Sequence, residues 1–265
     1  MSYPRRSSAS LVTHRKPAPA QTAWTDRSDG RPQRTKPLTR RYEVAYLTAD
    51  GQIENTTRLA PALPQFEDAF GAVARGTLIT TDRGPVSVED LLPGDRVLTM
   101  ENGPEALRWK GSIMIYPASA TPGIEGSGLV RITADRFGYA KPMADLLLGP
   151  AARILHSHGR LPEIIGTPSA FAPARGFIDG SGVFRIDPIS PVPVYHLAFS
   201  GHRTIRANGI PIESYHPGLP SNATLDPELL ALFLAFFPHI EKLSDFGPLS
   251  HPRLTTFEIE EILAY

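Results

Sequence analysis

Residues 72–100 read AVARGTLITTDRGPVSVEDLLPGDRVLTM. Two runs in this stretch, residues 77–81 and 96–100, are short, rich in Val, Leu, Ile and Thr, and bounded by Gly and Pro, which is the pattern of β-strands. Asp82-Arg83-Gly84 makes a turn after the first. Pro93-Gly94 suits a type II turn before the second, because Pro presets φ at one central position and Gly supplies the positive φ needed at the next. Between them, residues 86–92 are expected to carry a strand end into one short helical turn.

The same grammar extends in both directions. Upstream, residues 42–47 alternate polar and apolar and meet residues 52–59 across Asp50-Gly51, the signature of a β-hairpin. Phe66 and Phe70 lie four apart, so one helical turn buries both. Downstream, Glu101-Asn102-Gly103 and Asn208-Gly209 are hairpin turns. Short strands are expected at 107–110, 112–116, 129–134, 144–149, 153–155, 184–189, 192–199 and 203–206, with a loop of small residues at 117–128. Strands of this length at this spacing predict a compact, mostly β domain. The end of the chain changes character. Asp226-Pro227-Glu228 opens a helix with a capping Asp and Pro at the first helical position. Thr255 opens a second, with Ile259, Ile262 and Leu263 as its apolar side.

Composition sets further bounds. The chain has 265 residues, 27 of them Pro and 22 Gly, too many for a helical bundle. With no Cys, disulfides, cysteine-held metals and a thiol nucleophile are all excluded. No cofactor is expected, and His196, His202 and His216 lack metal-ligand spacing. No apolar run reaches the ~20 residues needed to span a bilayer. The arginines near the start are not followed by the apolar segment of a secretory signal, so the cytoplasm is the default compartment. The net charge of zero hides an asymmetry: residues 1–41 hold ten Lys and Arg against Asp26 and Asp29, about +8, and the remainder is correspondingly about −8. The leader is expected to be a disordered basic tail. A nucleic-acid or membrane arm using Trp24 is the alternative, although nothing in it specifies nucleic acid.

Three strings now stand together: Gly76-Thr77-Leu78-Ile79, Val88-Glu89-Asp90-Leu91 and Pro93-Gly94-Asp95-Arg96-Val97-Leu98. They resemble the opening block of the Hint superfamily, which holds inteins, the self-processing part of hedgehog proteins and bacterial Hint proteins. The resemblance runs from about residue 72 to 218 and implies a compact Hint-like β fold with short C-terminal helices. It also implies three chemical positions. A nucleophilic Cys or Ser, four residues before the glycine matching Gly76, attacks the preceding carbonyl. A mid-domain Ser/Thr-x-x-His polarises the scissile amide. A closing block positions the second attack.

The first position is Ala72. The second falls on Gly149-Pro150-Ala151-Ala152, where Ala152 stands for the His. The third, Val194 to Ile210, keeps His202 and the Asn208-Gly209 turn but lacks the terminal His–Asn pair of a splicing intein. The resemblance therefore implies a self-processing scaffold without its chemistry, acting as a binding or scaffold module for a protein partner the sequence does not name. The oligomeric state is not named either. The competing expectation is an active domain that cleaves before residue 72 by way of Thr77, His156 or His202; Thr80 is expected to be a strand residue, and His158, like His156, follows the mid-domain block closely enough to be weighed as a substitute for its His. Asp90 and Asp95 are the carboxylates that acid–base work would use, although a turn-capping role suits Asp90 better. The expected organisation is a tail (1–41), an N-terminal hairpin and short helix (42–71), the Hint-like domain (72–218) and a helical extension (219–265).

Overall fold

A computed structural model describes residues 38–117, 128–218 and 226–264, together with the backbone of 24–26 and 32–34. Residues 1–37 form a unit of their own. Within it, β1 (Trp24–Asp26) and β2 (Pro32–Arg34) pair antiparallel, so part of the expected tail carries a ladder. The remainder of that tail lies outside the described residues.

The second unit, residues 38–265, begins with the expected hairpin of β3 (Thr39–Leu47) and β4 (Ile53–Pro61). Its first strand takes in Thr39, Arg40 and Arg41. Helix α1 (Pro64–Glu67) follows and buries Phe66, with Phe70 buried just beyond. Then come β5 (Val73–Ala74), β6 (Leu78–Thr81), β7 (Gly84–Ser87), β8 (Arg96–Thr99), β9 (Gly103–Ala106) and β10 (Trp109–Ile115). The expected turns between them hold, with Gly84, Gly94 and Gly103 all at positive φ. The two strands expected within residues 107–116 are one, β10 from Trp109 to Ile115, because Gly111 continues the ladder instead of breaking it. The loop residues 118–127 lie outside the described residues.

The chain continues through β11 (Leu129–Ile132), β12 (Leu146–Leu148), β13 (Arg153–Ser157), α2 (Leu161–Ile165), β14 (Ser169–Pro173), a 3-10 turn (Ala174–Phe177), β15 (Val183–Ile186), β16 (Val192–Ala198), β17 (Thr204–Ala207) and β18 (Ile210–Glu213). Helix α3 (Pro227–Leu234) and helix α4 (Thr256–Leu263) close it. Both helices start as their sequences require. Asp226 accepts from the Glu228 and Leu229 amides, and Thr255 with Glu258 forms a capping box. Ile259 and Ile262 are buried, but Leu263 is exposed, so the inner face of α4 is narrower than expected.

Two large antiparallel sheets result. One runs β15-β11-β12-β5-β16-β10-β3-β4, the other β14-β13-β18-β17-β6-β8-β9 with β7 on β6. The fold is the mostly β architecture expected. Among the described residues no helix is long and apolar enough to cross a membrane.

The buried side chains form two cores. One is aliphatic and lies among the strands from 72 onward and α4, with Ile79, Leu91, Val97, Leu146, Leu148 and Ile205 among its members. The other is aromatic. It gathers Tyr42, Phe66 and Phe70 from the N-terminal side, Trp109 and Tyr215 from the middle, and Phe233, Phe236, Phe237 and Phe246 from the C-terminal side. Trp109 stacks on Phe237 at 4.7 Å and meets the edge of Phe70 at 5.3 Å. Its indole N–H donates to the Phe236 carbonyl at 2.7 Å. Gly111 lies directly under these rings: a Cβ there would stand 2.2 Å from Trp109 Cη2 and 2.6 Å from Phe70 Cδ1. Segments at opposite ends of the sequence thus meet on one tryptophan.

Candidate active site

Ala72 immediately precedes β5, a two-residue strand held between β12 and β16. Both polar groups of the Gly71–Ala72 peptide are bonded, and so is the next carbonyl, Ala72 O. The Ala72 amide donates to Tyr195 O at 3.0 Å, Gly71 O accepts the Ala151 amide at 3.0 Å, and Ala72 O accepts the Gly149 amide at 2.8 Å. The fold therefore brings the first and second expected positions together through their backbones. Ala152 closes the same turn, donating to Gly149 O, while its own carbonyl accepts the Ala174 amide. The side chains of Ala72 and Ala152 are both 2 % exposed and both belong to the aliphatic core.

Gly149 explains how the peptide comes so close. A Cβ at this residue would lie 2.2 Å from Gly71 O and 2.7 Å from Gly71 C. The obstacle is backbone, so no side-chain rotation relieves it. No side chain can enter here without moving the peptide. Gly149→Ala is expected to cost about 2–3 kcal/mol, the range for overpacking against rigid backbone. Urea unfolding checks this, and a loss below about 0.5 kcal/mol, within the range of a neutral surface change, would show that the strand yields freely.

His202 lies elsewhere in the fold, in a charged cluster. The ring is 2 % exposed, and Nε2 stands 3.0 Å from Glu213 Oε1. Nδ1 accepts the Ser250 amide at 2.9 Å, which puts the ring proton on Nε2, facing the carboxylate. Glu213 also takes Arg253 Nε at 2.8 Å and lies 3.6 Å from Arg153 Nε. Burial pushes the Glu213 pKa up, but His202 and Arg253 outweigh it, so the group sits below the ordinary carboxylate value. Arg253 Nη2 donates to the His216 carbonyl and Arg153 Nη1 to the Leu254 carbonyl. The residues flanking Arg253 also bond β14, through Phe171 N to Pro252 O and Leu254 N to Phe171 O, both at 2.8 Å. His202 is therefore tied into the attachment of the C-terminal segment.

The remaining candidates have structural partners. Thr77 is buried and precedes β6, its amide donating to Ala74 O and its carbonyl accepting the Val88 amide; Thr80 lies within β6. His156 pairs in register with Ala170 and packs on Phe177 and His158, and burial together with His158 lowers its pKa. His158 accepts the Arg160 amide. His196 Nδ1 lies 3.2 Å from Asp68 O, and burial lowers its pKa to about 4, so it stands neutral inside the sheet. Asp95 accepts the Leu92 amide at 2.8 Å and the Arg83 guanidinium at 2.5 Å, closing the Pro93-Gly94 turn. The Asp90 amide donates to Ser87 O in the neighbouring turn. Asn208 has φ of 48°, as the predicted hairpin turn requires. Its side chain does more: Oδ1 accepts the Leu78 amide, and Nδ2 donates to the carbonyls of Ala144 and Asp145, joining the closing block to the opening one.

A family model described as the Hint domain matches residues 72–219, from the alanine at the first position through the closing block. This chain belongs to the Hint domain family. Among solved structures, the Hint domain is similar to a bacterial intein-like domain from Clostridium thermocellum known in solution. The two share 13 % identity over 55 % of this chain and 99 % of that one, with a TM-score of 0.35. No curated protein matches the chain at a significant level.

Sequence reasoning singled out Ala72, Ala152 and His202 but did not name the acid and arginines around His202. The one available signal was Glu213, an ionisable residue closing an apolar strand. A buried carboxylate requires basic partners.

Proposed function

We propose that this Hint domain has kept the self-processing scaffold, has lost the peptide-bond chemistry, and serves as a binding or scaffold module for a protein partner. The observation that carries the reading is the Gly71–Ala72 peptide, with methyl groups buried in apolar core at both positions where a reaction would need polar ones. An acyl shift breaks the amide before residue 72. It requires a side-chain nucleophile on that residue and a group that protonates the departing nitrogen. Here the Ala72 amide hydrogen is bonded to Tyr195 O, and the bonds shown to hold the peptide among the described residues are all backbone to backbone.

Intact mass spectrometry of the purified chain tests the proposal. Held for a day with and without hydroxylamine and dithiothreitol, the mass is expected to stay unchanged. A nucleophile-dependent break before Ala72 would overturn it and support an active domain working through Thr77, His156 or His202.

A further inference from the structure

Sheet edges are where folded β proteins pair with other chains, and most natural edges are blunted. Among the described residues this Hint domain blunts most of its own. The edge of β14 is occupied by Pro252 and Leu254. Strands β7 and β9 are four residues long and contain Pro85 and Pro104. Strand β15 is also four residues long, with Arg185 inside it. Strand β4 differs. It is nine residues long, pairs with β3 alone among the described residues, and has no Pro before its last residue.

The sequence of β4, IENTTRLAP, is complementary to itself when reversed. Set antiparallel about Thr56, Glu54 stands opposite Arg58, Ile53 opposite Leu59, and Asn55 opposite Thr57. A two-fold axis produces each of these pairs twice. Ile53 and Leu59, 42 % and 71 % exposed, would cover each other on one face. Glu54 and Arg58 would pair on the other, where the Tyr46 hydroxyl already holds the Glu54 carboxylate. Neighbouring registers lose this match. Centring on Thr57 puts Glu54 against Ala60, and centring on Asn55 puts Arg58 against Gln52. We infer that β4 is a homodimer interface, joining two copies of the chain edge to edge about Thr56 into one continuous sheet.

Sedimentation velocity of the full chain, at concentrations up to about 100 µM, reads the outcome; an interface of one strand is at the weak end of specific association. The wild type is expected to form a dimer that dissociates on dilution. Glu54→Arg and Arg58→Glu each set like charges opposite one another twice, and each is expected to weaken the dimer roughly tenfold or more. The double variant E54R/R58E restores both pairs and is expected to dimerise within about threefold of wild type. An equimolar mixture of the two single variants is expected to form heterodimers. Both positions are exposed, and circular dichroism confirms that each variant folds. A wild type that stays monomeric overturns the inference. A dimer indifferent to both single charge reversals overturns it too.

Discussion

Trp109→Ala is expected to destabilise the protein by about 3–5 kcal/mol, the range for deleting a large buried aromatic side chain. The residue is fully buried. Its loss removes the stack on Phe237 and the edge contact with Phe70, and leaves the Phe236 carbonyl without the indole donor. The cavity cannot refill easily, because the glycine beneath it, Gly111, has no side chain to offer. Urea unfolding measures the loss. Limited proteolysis should show the region around α3 cut in the variant before residues 72–218 are. Trp109→Phe keeps a ring and is expected to recover about half the loss, the remainder being the hydrogen bond and unfilled volume. A Trp109→Ala protein within about 1 kcal/mol of wild type would show that the aromatic core is not what attaches the two ends of the chain.

Glu213→Gln is the second large effect, for a different reason. The substitution keeps the shape and removes the carboxylate that, among the described residues, pairs within 4 Å with His202, Arg253 and Arg153. Breaking one side of a buried ion pair costs about 3–5 kcal/mol, because the opposite charge stays desolvated. The pH dependence supplies an independent check. The Glu213 pKa is lower in the folded protein than its ordinary 4.5. Its contribution is therefore present above that value and is lost as pH falls through the folded one. Chemical unfolding at a series of pH values should show the gap between wild type and Glu213→Gln fully open at neutral pH and closing below about 4.5. A gap that stays constant down to pH 3 would mean that the ionised carboxylate is not what the cluster uses.

The parts of the fold legible in the sequence were those decided locally. Gly and Pro punctuation placed the hairpins at 50–51, 101–103 and 208–209, and the caps at Asp226 and Thr255 announced two helices. Strand β14 and helix α2 were missed, since residues 161–173 are broken by Pro162, Gly166 and Pro168 and carry no sustained period. The aromatic core was illegible for a related reason: nothing local tells Phe70 that it will meet Trp109, or Trp109 that it will meet Phe236. At the candidate site, residue types alone put alanine at 72 and 152, the two positions the resemblance marks for chemistry. The role of Gly149 was hidden, because it depends on a peptide 78 positions earlier in the chain. The arginines on Glu213 were hidden too, one of them lying forty residues further on.

The tryptophan that gathers both ends of the sequence also dictates when the molecule can finish forming. Trp109 emerges from the ribosome 127 residues ahead of Phe236. At about 5–20 residues per second, the nascent chain waits on the order of ten seconds with Phe66, Phe70 and Trp109 uncovered. During that interval a greasy aromatic patch is open to neighbouring chains, and chaperones that shield such patches have their longest opportunity to act. Messages truncated between codons 213 and 236 would leave that patch permanently bare, so their products should aggregate or be degraded even though every strand of the Hint domain has been synthesised.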